Sequence, residues 1–99
     1  MPHRSLTLEE ACVAIGATPT RLRTLRYVMA HRDATANDIV EALGLSRSNV
    51  HHHLTALRDA GILHERRATH PRGSGPIIYW TVDQEHVHAI RNVLFEHLS

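Results

Sequence analysis

Residues 45–63 read "LSRSNVHHHLTALRDAGIL". The stretch holds Ser46, suited to capping a helix, and Gly61, suited to ending one. Between them Val50, Leu54 and Leu57 recur at helical spacing, the apolar stripe of an amphipathic helix over 46–60. The three consecutive histidines, His51, His52 and His53, sit inside that pattern. Successive helical residues are about 100° apart, so the three rings splay around the axis and cannot share one ion. A helical two-histidine site needs a spacing of three or four residues. His53 flanks the stripe, and packing with one ring nitrogen bonded internally is its expected role. His51 and His52 turn outward, on the same side as Ser48.

Upstream, "TANDIVEALG" reads as another helix, with Thr35 as its cap and Asp38 favourably placed in the first turn. Ile39 and Leu43 point to a core, and Gly44 can adopt the left-handed conformation that stops a helix. Only "GLS" separates this helix from the next, which makes residues 35–60 a helix-turn-helix. Two more helices precede it. Thr7 and Glu10 form a capping box for "TLEEACVAI", and Gly16 ends that helix. Thr18 and Pro19 start "TPTRLRTLRYVMAH", where Leu22, Leu25, Val28 and Met29 form the expected stripe. Arg21, Arg23, Arg26 and Arg32 are left to its other faces.

Downstream the texture changes. Two β-favouring runs, 62–67 and 77–82, flank a tip holding Pro71, Gly73, Gly75 and Pro76, the pattern of a β-hairpin with a long loop. Asp83 then caps a last helix over about 84–98, with Val87, Ile90, Leu94 and Leu98 as its stripe. The expected fold is mainly α with a small β-hairpin, in the order α-α-α-α-β-β-α.

The 99 residues suffice for one small domain with a modest core, so dimerisation is a natural way to cover leftover apolar surface. The first and last helices are the expected dimer elements. The apolar runs are too short to span a bilayer and no signal peptide is visible, which together predict a cytoplasmic protein. Cys12 is the sole cysteine, which excludes an intrachain disulfide; it reads as a small buried residue of the first helix. All 11 basic residues are arginines, and ten histidines accompany a formal charge of +1, so positive potential depends on pH near neutrality. Arginine suits bidentate contact with phosphates and guanine edges, although a GC-rich genome gives the same excess.

The stretch 45–63 resembles the recognition helix of ArsR-type winged-helix repressors, whose pattern runs roughly Leu-Ser-Gln-Ser-Thr/Asn-Val-Ser-His-His-Leu, then Leu-x-x-Ala-Gly-Leu. The resemblance covers residues 20–98 and implies a winged helix-turn-helix that binds duplex DNA as a homodimeric transcriptional repressor. The family reads DNA from positions that are here Arg47, Ser48, His51 and His52. Arg47 stands where glutamine is usual and His51 where serine is usual, which implies an altered sequence preference. The hairpin, about 62–82, corresponds to the wing. Its Arg66, Arg67, His70 and Arg72 are expected at backbone phosphate or the minor groove.

Many members of that family sense metals. The cysteine site at the third helix is absent from "HRDATAND". The site shared between two last helices is matched only by His86 and His97, with Gln84 in place of its aspartate. His86 and His97 are 11 residues apart on one helix face, separated by roughly 16 Å. They could meet only across two antiparallel helices from different protomers, and two ligands are few for regulatory zinc. The expectation is therefore no metal or other cofactor, with His86 and His97 as the candidate ligands if zinc binds. "HERRATH" lacks the second histidine of a zinc-protease motif, because Ala68 occupies its place, and no phosphate-cradling loop or nucleophile elbow is present. No enzymatic activity is expected. The rival reading is a winged helix used as a protein-interaction module.

Overall fold

A computed structural model describes residues 6–16, 18–69, 73 and 75–98. Five helices and one hairpin follow in the order expected: α1 Leu8–Ile15, α2 Pro19–Ala30, α3 Ala36–Leu43, α4 Arg47–Asp59, β1 Leu63–Thr69, β2 Pro76–Val82 and α5 Gln84–Glu96. Each helix starts at the residue whose chemistry suits it. Thr7, Thr18, Thr35, Ser46 and Asp83 each accept a hydrogen bond from a backbone N–H three residues on. Thr7 and Thr35 complete capping boxes with Glu10 and Asp38.

The core is built where the faces of α2, α3, α4 and the hairpin meet. Leu25, Val28, Ile39, Val50, Leu54, Leu57, Ile62, Leu63 and Trp80 are buried there. α1 packs on α5, adding Ala11 and Ile90. Each fully buried large aliphatic side chain contributes about 1.5–3 kcal/mol relative to exposure.

The hairpin pairs Leu63 with Val82 and Arg66 with Tyr79, and reaches Thr69 opposite Pro76. The strands are thus longer than the 62–67 and 77–82 runs. A third, minimal strand borders β2: Ala34, in the α2–α3 turn, bridges Trp80, whose N–H donates to the Ala34 carbonyl at 2.8 Å. No sequence signal marked this pairing.

Three apolar assignments need correction. On α2 the buried arc contains Thr24, Leu25 and Val28, while Leu22 is 44% and Met29 42% exposed. The arc is rotated so that Thr24 and the half-buried Arg21 fall within it. Thr24 tolerates burial because its hydroxyl donates to the Thr20 carbonyl at 2.9 Å. Leu98 lies past the end of α5 and is 79% exposed. Cys12 is exposed, not buried.

Candidate nucleic-acid interface

The turn between α3 and α4 sets the direction of α4. Gly44 takes the left-handed conformation (φ 65°) and its N–H donates to the Val40 carbonyl. Leu45 packs on the core, and Ser46 accepts from the Asn49 N–H at 3.2 Å. α4 then runs with Val50, Leu54 and Leu57 fully buried and the opposite side open to solvent. At the far end the Gly61 and Ile62 N–H groups donate to the Arg58 and Leu57 carbonyls, closing the helix before β1 begins.

Arg47, Ser48, His51 and His52 are all exposed on the solvent side of α4. Ser48, His51 and His52 line one shallow groove together with Thr55, Ala56 and Asp59. A second depression, between α3 and α4, is bordered by Ala36, Arg47, Ser48 and His51. Arg47 Nη2 donates to Asn37 Oδ1 at 3.3 Å, reaching back to α3. Asn37, Thr55, Ala56 and Asp59 were not singled out in the sequence. The helical spacing from Ser48 and His52 was the signal that could have found the last three.

His53 points the other way. Arg21 Nε donates to His53 Nδ1 at 3.2 Å, as expected for a ring with an internal bond. The accepting Nδ1 places the proton of the neutral ring on Nε2. Burial, then the Arg21 guanidinium, then His52 hold its pKa below the usual 6.5. The guanidinium itself lies against Gly16, where any Cβ would collide with it.

Arg66 and Arg67 lie on opposite faces of the hairpin, because successive strand residues alternate. Arg67 is exposed and opposes Ile78. Arg66 opposes Tyr79 and is ion-paired to Asp33 at 3.0 Å. Arg72 and His70 lie outside the described residues. At the base of the hairpin His64 Nε2 is 3.1 Å from Asp83 Oδ2, while Asp83 Oδ1 accepts from the His86 N–H. That backbone bond, with the pairing to His64, holds the Asp83 carboxyl below the usual carboxylate range.

His86 and His97 do not meet within the chain. His86 is half-buried near the start of α5, facing α1 residues Glu10 and Val13. His97 is exposed at the other end, where Nδ1 donates to the Val93 carbonyl at 2.9 Å. Among the described residues no group of three or more His, Cys, Asp or Glu is placed to hold a metal ion. Among them, too, no helix is long and apolar enough to cross a membrane.

The sequence model of the bacterial regulatory protein family arsR matches residues 18–65, from the cap of α2 to the start of the hairpin. That segment, the helix-turn-helix with the helix before it, is of the arsR type. A solved structure described as a possible transcriptional regulator for arsenical resistance shares 26% identity with it, at a TM-score of 0.67, over 87% of this chain and 81% of that one. An ArsR-like transcriptional regulator from Rhodococcus sp. RHA1 superposes with a TM-score of 0.66 at 20% identity, over 90% and 76% of the two chains. The S. aureus MepR–DNA complex has the same fold, with a TM-score of 0.62 at 18% identity over 91% and 73%. No curated protein sequence matches the chain. The fold is the one shared by these winged-helix transcriptional regulators. The arsR-type match runs through α3, α4 and the turn connecting them, and ends in β1 of the hairpin.

Proposed function

We propose that the chain is a homodimeric repressor that reads a pseudo-palindromic duplex through α4. The observation that carries this is the two-sidedness of α4. One side is fixed by Val50, Leu54 and Leu57, all fully buried. The other presents Arg47, Ser48, His51 and His52 to solvent. A helix anchored this way can enter the major groove with its N-terminal residues nearest the base edges. Arg47 suits a guanine edge, and the serine and histidines suit either partner of a base pair through one hydrogen bond each. Arg67, exposed on the hairpin, suits backbone phosphate, as does Arg72.

The dimer rests on a different observation. Val13 on α1 is 80% exposed, Phe95 at the end of α5 is 60% exposed, and Leu98 just past it is 79% exposed. A two-fold contact between these helices would cover that surface and pair two recognition helices, which is what a pseudo-palindromic site requires. Repression follows as occupancy of an operator. Duplex binding measured against salt tests the reading. Affinity is expected to fall steeply as salt rises, because phosphate contacts release counterions. Absence of binding at low salt would favour the protein-interaction module instead.

A further inference from the structure

Arg66 belongs to the basic set on the hairpin, yet its guanidinium is engaged within the chain. Nη2 lies 3.0 Å from Asp33 Oδ1, and Cζ stands 4.7 Å from the centre of the Tyr79 ring. Three segments converge on this contact. β1 supplies Arg66, β2 supplies the opposing Tyr79, and the α2–α3 turn supplies Asp33, the neighbour of the Ala34 that bridges Trp80. Asp33 is the only non-glycine among the described residues with a positive φ, 54°, a conformation aspartate accepts more readily than most side chains. The other face of the hairpin is tied separately, by Arg58 Nη1 at 3.6 Å from Glu65 Oε2, which links β1 to α4. Arg67 shares that second face and has no ion-pair partner among the described residues.

We propose that the Asp33–Arg66 pair positions the wing, and that Arg66 is a brace and not itself a phosphate ligand. The two ion pairs hold opposite faces of the hairpin, one to the α2–α3 turn and one to α4. Together they fix the direction in which Arg67 leaves the strand. The inference rests on the reading of the hairpin as part of a duplex-binding surface.

Charge gives the test a sign. Were Arg66 a phosphate ligand, Asp33 would compete with the duplex for it. Asp33→Asn keeps a residue type that tolerates positive φ while removing the charge. For a direct ligand that change would tighten duplex binding. For a brace it weakens binding, by about threefold to fivefold, the scale of an exposed ion pair. Arg66→Ala is expected to lose a similar factor alone and to add little in the Asp33→Asn background. Arg66→Lys, which keeps the charge, recovers part of the loss when Asp33 is present and none in the D33N background. Amide hydrogen exchange of the DNA-free chain supplies the independent arm. Both D33N and Arg66→Ala should speed exchange along 64–69 and 77–81 while leaving α4 protected. Tighter binding by D33N, additive losses, or unchanged exchange in the hairpin would each overturn the brace. If the native chain binds no duplex, the functional reading fails and the exchange measurement still decides the brace.

Discussion

Arg21 donates to His53 Nδ1, so that nitrogen must stay unprotonated for the bond to exist. Burial, Arg21 and His52 depress the pKa of His53 below 6.5. The unfolded chain therefore binds a proton more readily than the folded one. The stability that neutral His53 contributes is full above the unfolded value and is lost as pH falls through the folded one. The urea midpoint is expected to drop between about pH 7.5 and pH 5.5, and to drop less in His53→Gln. Equal drops would assign the acid sensitivity to other groups. The inward bond of His53 was legible because the residue flanks the apolar stripe. Its partner was not, since an arginine beside leucines is read outward by default, whereas Arg21 lies in the buried arc of α2. Arg47 carries a prediction about DNA. Arg47→Ala should weaken the preferred duplex by about 1–3 kcal/mol and relax preference at one base pair. A comparison of affinities across single-base variants of the site checks this, and unchanged preference would remove Arg47 from the reading role.

Helix limits were legible because capping chemistry is local. Ser46 and Gly44 bracket a turn that any chain with those residues could make, and Asp83 caps α5 through the nearby His86 N–H. Ser46→Ala is expected to cost about 0.5–2 kcal/mol, read as a lower denaturation midpoint, because it strips the cap from α4. Leu54→Ala should cost more, about 2–5 kcal/mol, since the side chain is fully buried where α4 meets the core. A change below about 1 kcal/mol would mean that the site collapses around the smaller residue. What escaped the sequence was set by partners distant along the chain. The Ala34–Trp80 bridge depends on α2 and β2 lying side by side, and the rotation that exposes Leu22 and Met29 depends on which neighbours α2 meets. The same holds for the wing: strand alternation separates Arg66 from Arg67, but only the fold brings Asp33 within reach of one of them.

α1 and α5 form a layer beside the helix-turn-helix, and their exposed Val13 and Phe95 are the basis for a two-fold contact. A Val13→Glu, Phe95→Glu variant is expected to sediment as a monomer while keeping its helical content, and a native chain already monomeric at micromolar concentration would contradict the dimer. Loss of the dimer should weaken binding to a full site far more than to a half-site, because linked modules gain from effective concentration. The reading of DNA by the open side of α4 is tested most directly by selecting duplexes from a random library with the native chain and with a Ser48→Ala, His51→Ala variant. The native chain is expected to enrich a motif with two-fold symmetry, and the variant to lose that motif while retaining salt-sensitive binding to random duplex. Enrichment of the same motif by both proteins, or of none by the native chain, would contradict the assignment of α4 as the reading element.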